Sequence, residues 1–128
     1  MASFESLSDT AILSELGPEV GRGLSRLEIH DEIDSTNQAL LDDDAPVGGK
    51  LTVCLAEYQT AGRGRRGRTW IAPSGCCLCF SVGWLYDRVP RDIAALALAA
   101  GVVVRRALQE AAGLEVILDV VYNHTAEG

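Results

Sequence analysis

Lysine occurs once in the 128 residues, at Lys50, and histidine twice, at His30 and His124. The remaining basic residues are arginines, and all of them together fall short of the acidic ones: eleven Lys plus Arg against eighteen Asp plus Glu, a net charge of −7. That deficit argues against general binding to nucleic acid or to an anionic membrane surface. No apolar run reaches the length of a membrane span. The opening Met1-Ala2-Ser3-Phe4-Glu5-Ser6 lacks the basic-then-apolar layout of a secretion signal, so a cytoplasmic protein is expected. The four cysteines are Cys54, Cys76, Cys77 and Cys79. The two histidines are far apart in sequence, so no zinc set is legible. The thiols read as reduced, buried and structural, and no metal site is expected.

What the chain does have is 48% hydrophobic residues, enough for the core of one domain of ordinary size. It also has one concentrated basic segment, Gly62-Arg63-Gly64-Arg65-Arg66-Gly67-Arg68, with four arginines and three glycines in seven residues. Glycines free the backbone there, and guanidinium forks match carboxylate or phosphate geometry. Three readings compete: a solvated basic loop, a nucleic-acid patch, and a small-anion site. The acidic remainder of the chain weakens the second. Gly62-x-Gly64-x-x-Gly67 matches the dinucleotide fingerprint, and Asp87 falls at the distance of its ribose carboxylate. That fingerprint must open a helix, and Pro73 and Gly75 stand where the helix would run. The Gly-Lys-Ser/Thr ending of a phosphate loop is absent too.

Along the chain, Ser8-Asp9-Thr10 predicts a cap for a short helix carrying Ile12, Leu13 and Leu16, ended by Gly17. Leu24 to Ile33 alternates apolar and polar residues and reads as a strand. Asp34-Ser35-Thr36 predicts the cap of a helix from Asn37 to about Leu41. Such a helix start also offers a hydroxyl and free amides to a ligand. Leu51 to Gln59 reads as a strand with Leu51, Val53 and Leu55 on one face, and it delivers Gln59 to the arginine segment. Cys76 to Trp84 reads as a second apolar strand, with Leu78, Phe80 and Val82 sharing one face. Pro90 predicts the first turn of the longest helix, whose apolar residues from Ile93 to Ala111 form a broad core-facing stripe ended by Gly113.

Two of these stretches are recognisable. Glu57-Tyr58-Gln59-Thr60-Ala61-Gly62-Arg63-Gly64-Arg65-Arg66-Gly67-Arg68-Thr69-Trp70 closely resembles the biotinyl-adenylate loop of biotin–protein ligases. Glu32-Ile33-Asp34-Ser35-Thr36-Asn37 resembles the first biotin-pocket motif of the same family. The resemblance implies an α+β fold, a mixed sheet with helices on one side. It implies ATP-dependent activation of biotin to biotinyl-5′-AMP, then transfer to a lysine of a biotin carboxyl carrier protein such as that of acetyl-CoA carboxylase. ATP and biotin would be substrates, with Mg2+ accompanying ATP. Ser35, Thr36, Asn37, Gln59, Arg63, Gly64 and Arg65 would line the biotin site, with Arg63 and Arg65 holding carboxylate and phosphate. Gly62, Arg66, Gly67, Arg68 and Trp70 would complete the adenylate loop. A lipoate-type ligase of the same superfamily is the neighbouring reading, and a non-catalytic remnant that keeps part of the biotin pocket is another.

The likeness covers residues 25–116, after a helical lead-in over 1–24. Too few residues precede it for a winged-helix DNA-binding segment, so no DNA partner is expected. Where the family continues into a strand with a Lys-Trp-Pro-Asn-Asp motif, this chain reads Ile117-Leu118-Asp119-Val120-Val121-Tyr122-Asn123-His124. The family's catalytic lysine is therefore not expected, nor are its later strands and C-terminal domain. A sheet cut in this way exposes an edge and apolar surface, which favours a homodimer. Residues 117–128 instead resemble a barrel strand of α-amylase-family glycoside hydrolases, through Asp119, Asn123 and His124. Twelve residues are far too few for a barrel of roughly 250, and they read as an unrelated segment.

Overall fold

The computed structural model describes residues 6–43, 46–62, 65–69, 71, 73, 75 and 77–113. The end of the likeness, residues 114–116, and the segment 117–128 lie outside them. The chain divides into two compact units, Met1–Asp87 and Arg88–Gly128, where the sequence suggested one domain.

The first unit opens with helix α1 (Asp9–Glu15). The Ser8 hydroxyl caps it as expected, accepting from the Ala11 amide at 3.3 Å. The backbone leaves the helix at Leu16, and Gly17 instead precedes a second helix that the sequence reading missed, α2 (Pro18–Gly23). Proline at its first position suits a helix start, where the missing N–H costs nothing. The lead-in is tied to the sheet by the Leu7 amide, which donates to Glu57 Oε1 at 2.6 Å.

Strand β1 (Leu24–Ile33) and strand β2 (Leu51–Gln59) run parallel, joined through helix α3 (Thr36–Asp42). Strand β3 (Cys79–Trp84) pairs antiparallel with β2, so the sheet is mixed, in the order β1-β2-β3. This is an α+β arrangement. The bounds of β1 and β2 match the sequence reading. That of β3 does not: it starts at Cys79, with Cys77 and Leu78 outside it and Cys76 outside the described residues.

Phe80 and Val82 share one face of β3, as the alternation implied, and that face is the more open one: Phe80 is 43% and Val82 52% exposed. The side that α3 packs against carries Cys79, Ser81 and Gly83 on β3, opposite Ala56, Cys54 and Thr52 on β2. Small side chains let the helix approach the strands closely. A Cβ built on Gly83 would stand 2.5 Å from Thr52 Oγ1 and 3.7 Å from both Leu40 and Pro46. Burial here follows the space under α3 more than hydrophobicity. Thr36, Thr52, Cys54 and Ala56 are all buried, and on the other face of β2 Leu55 is buried as well.

The second unit contains helix α4 (Ile93–Ala112). Pro90 lies two residues before its N-cap, Asp92, rather than in the first turn. Gly113 ends the helix as expected: at φ 62° and ψ 21° it adopts the left-handed conformation and donates its amide to the Gln109 carbonyl at 3.0 Å. The covered line is narrower than the predicted stripe. Gly101 is buried and Ile93, Ala97 and Val104 are half-buried, while Leu96, Val103 and Leu108 are exposed. Among the described residues no helix is long and apolar enough to cross a membrane.

Candidate functional site

The parallel pairing of β1 and β2 brings the C-terminal ends of both strands to one place. From there β1 passes into α3 and β2 into the arginine segment. The pairing continues past the strands: the Thr60 amide donates to the Ile33 carbonyl at 2.9 Å, and the Ala61 amide to the Asp34 carbonyl at 2.8 Å. The first residues of the arginine segment are thereby fastened beside the start of α3.

Ser35 caps α3. Its backbone is extended (φ −158°, ψ 130°), and its hydroxyl accepts from the Gln38 amide at 3.3 Å. Thr36, the first helical residue, is only 3% exposed. Its amide donates to Gln59 Oε1 at 2.8 Å, and its hydroxyl lies 3.1 Å from the same oxygen and 2.8 Å from Ser81 Oγ. These contacts settle the direction of every bond. A backbone N–H can only donate, so the Gln59 atom it meets is the carboxamide oxygen. That oxygen can only accept, so the single Thr36 hydroxyl hydrogen points to it. Ser81 must then donate to Thr36. The relay Ser81→Thr36→Gln59 links β3, α3 and β2, and among the described residues it leaves the Gln59 NH2 group as a donor without a partner.

Two of the first-turn groups that the sequence offered to a ligand are thus already engaged: the Thr36 amide by Gln59, and the Ser35 hydroxyl by its own cap. Asn37 is exposed in the first turn of α3. Thr36 and Gln59 are in direct contact, 23 residues apart in sequence.

Beyond Ala61, Gly62 is buried. Arg63, Gly64 and Trp70 lie outside the described residues, as does the Arg65 side chain. Arg65–Gly67 forms a single 3₁₀ turn in which Arg66 (φ 60°, ψ 36°) and Gly67 (φ 70°) are both left-handed. Glycine takes that conformation freely, whereas an arginine carries a cost of about 1 kcal/mol. Arg66 and Arg68 are exposed, so two guanidinium groups of the segment stand in solvent.

Ser81 escaped the sequence reading. It sits inside an apolar strand, and its one signal was a hydroxyl at the alternate position shared with Cys79 and Gly83. A second cluster also escaped it. Glu28 and Cys54 are cross-strand partners in the β1–β2 ladder, and His30 lies two residues from Glu28. The ligand atoms of Glu28, His30 and Cys54 all lie within 4.8 Å of one another. Burial, then the charges of Glu28 and Asp43, push the Cys54 thiol up, while Arg26 opposes them.

Comparison with known proteins bears on what this arrangement is. Residues 30–125 match the model of the biotin/lipoate A/B protein ligase family. Over 78 residues the chain is 44% identical to the bifunctional ligase/repressor BirA of Escherichia coli (strain K12), which is 61% of this chain and 24% of that protein. It is 40% identical over 88 residues to the biotin–[acetyl-CoA-carboxylase] ligase of Mycobacterium tuberculosis, covering 66% of this chain and 32% of that one. To the Bacillus subtilis ligase/repressor BirA it is 33% identical over 110 residues, 85% of this chain and 33% of the relative. The chain thus spans between a quarter and a third of the length of these relatives. The family match takes in β1 from His30 onward, α3, all of β2 and β3, the arginine segment and α4, and on that extent the chain belongs to the biotin/lipoate A/B protein ligase family.

Proposed function

We propose that this chain carries the biotin and adenylate half of a biotin–protein ligase site. The reaction would join the biotin carboxylate to the α-phosphate of ATP, releasing pyrophosphate. A lysine amine of a biotin carboxyl carrier protein would then attack the mixed anhydride and release AMP. Activation is needed because a free carboxylate is a poor electrophile with a poor leaving group. Mg2+ would travel with ATP, and the setting would be the cytoplasm.

The observation that carries this reading is the contact between Thr36 and Gln59, which joins the Ser35-Thr36-Asn37 motif to the start of the arginine segment. An uncharged ureido ring needs both donors and acceptors at close quarters. The NH2 of Gln59, with Asn37 and the O–H and second lone pair that the cap leaves on Ser35, supplies them. Arg63 and Arg65 are the proposed partners of the carboxylate and phosphate, where negative charge gathers. Gly62, Gly64 and Gly67 let the backbone follow the ligand, while Arg66, Arg68 and Trp70 order the segment over it and exclude water. The likeness to the biotin–[acetyl-CoA-carboxylase] ligase of Mycobacterium tuberculosis favours biotin over lipoate as the acid.

One observation favours a second reading, binding without turnover. Lys50, the chain's sole lysine, is exposed immediately before β2, and the nine residues of that strand separate it from Gln59. At about 3.3 Å per residue the separation is roughly 30 Å. No lysine of this chain stands at the site, and loss of one charged group from an active site typically costs about two to three orders of magnitude in rate.

Isothermal titration with biotin and with a non-hydrolysable biotinyl-adenylate analogue tests the proposal. Tight analogue binding that Arg65→Ala removes is expected. A chain folded by circular dichroism that binds neither compound would overturn it. Pyrophosphate release from biotin and ATP then separates the two readings.

A further inference from the structure

We propose that Glu28, His30 and Cys54 form a site for a divalent transition ion of the zinc class, in the face of the sheet where β1 pairs with β2. Nothing in the ligase reading calls for it. The three donors come from strand positions fixed by the parallel ladder: Glu28 opposite Cys54, and His30 opposite Ala56. All three ligand atoms lie within 4.8 Å of one another, and His30 Nε2 is 3.4 Å from Glu28 Oε2. Around a tetrahedral zinc, with bonds of about 2.0–2.3 Å, ligand atoms stand roughly 3.4–3.6 Å apart. One edge is therefore already at coordination distance, and the others close with a shift of about 1 Å.

The surroundings suit a metal of that class. Imidazole, thiolate and carboxylate together favour zinc over hard oxygen-seeking cations. Arg26 Nε is 2.9 Å from Glu28 Oε1, the carboxylate oxygen turned away from His30. Its N–H is not aimed at that oxygen, so the contact is one of charge, and Oε2 stays free to bind. Arg26 is in turn held by Asp43 at 2.6 Å, an outer partner of the kind that orients ligating groups. Cys54 is wholly buried, while His30 and Glu28 are half-buried and give access from solvent. On binding, the Cys54 S–H bond breaks, the sulfur pair goes to the ion and the proton leaves to water. The Glu28 carboxylate and the Cys54 thiolate then balance the two positive charges, and water completes the fourth position.

Cobalt(II) added to the full reduced chain provides the readout, because thiolate ligation produces a near-ultraviolet charge-transfer band. The expected result is a band that saturates at one equivalent, is displaced by zinc, is absent in Cys54→Ser, and needs at least about tenfold more metal in His30→Asn. No band in the parent overturns the proposal. So does a band that persists in Cys54→Ser, which would assign it to other cysteines, or unchanged affinity in His30→Asn. Should Cys54→Ser fail to fold by circular dichroism, His30→Asn and Glu28→Gln decide alone: both weaken binding if the site is real, and neither does if it is not.

Discussion

Replacing Gln59 by alanine removes the acceptor at the end of the Ser81→Thr36→Gln59 relay. Two donors lose their partner: the Thr36 amide at 2.8 Å and the Thr36 hydroxyl at 3.1 Å. The hydroxyl has a remedy, because its hydrogen can turn to Ser81 Oγ, 2.8 Å away, and the Ser81 hydrogen can turn elsewhere. The amide has none, since its direction is fixed by the helix and Thr36 is nearly buried. A typical hydrogen bond contributes about 1 kcal/mol net, and a buried donor left alone costs about 1–3 kcal/mol. Gln59→Ala should therefore lower unfolding stability by about 2 kcal/mol in urea titrations followed by circular dichroism. Gln59→Glu is the informative control. A carboxylate accepts the same two bonds, so stability at neutral pH should stay within about 0.5 kcal/mol of the parent. It has no NH2 to offer, so biotin-analogue affinity should fall in the glutamate variant as it does in the alanine variant. A Gln59→Ala protein as stable as the parent would refute the relay. A Gln59→Glu protein that binds as well as the parent would refute the role given to the NH2 group.

Other expectations follow from the packing. Gly83→Ala places a methyl 2.5 Å from the buried Thr52 Oγ1; it should cost about 1–3 kcal/mol, and Thr52→Ala in the same chain should recover much of that loss, as read by thermal melts. Among the described thiols, Cys77 is exposed while Cys54 and Cys79 are buried. Maleimide labelling mapped by mass spectrometry should modify Cys77 well before the other two, and equal rates would contradict the burial. Burial raises the Cys79 thiol first, with Cys77 adding to it. Its neutral form is the one the fold favours, so its contribution to stability is level below the ordinary thiol range and lost as pH rises through it. Urea midpoints should thus decline in mildly alkaline buffer, and Cys79→Ala should remove its share of that decline and leave that of Cys54, which burial also raises.

Much of the organisation was legible because it rests on local chemistry. Ser8 and Ser35 read as caps, since a serine followed by a helical pattern has a specific use for its hydroxyl. Gly113 read as a helix end because a left-handed residue is needed there. The arginine segment and the Ser35-Thr36-Asn37 motif were visible as strings of residues whose chemistry suits an anion and a polar ring. The bounds of β1 and β2 followed from their patterns.

Whatever depends on which strand lies beside which was not legible. The sequence carries no statement of register, so it could not say that Glu28 faces Cys54 or that Thr36 meets both Gln59 and Ser81. The two histidines were weighed as zinc partners along the chain, whereas the cluster uses one of them, His30, with Glu28 beside it and Cys54 brought across by the ladder. Nor could the sequence say which face of β3 meets α3: the helix lies over Cys79, Ser81 and Gly83, where small side chains let it come close, and not over Phe80 and Val82. By itself the sequence determined the serine caps, the glycine helix end, the bounds of β1 and β2 and the charged segment, because each is a matter of neighbours within a few residues. Only the tertiary structure decided the faces, the hydrogen-bond relay and the Glu28–His30–Cys54 cluster, because each is created by pairing segments more than twenty residues apart.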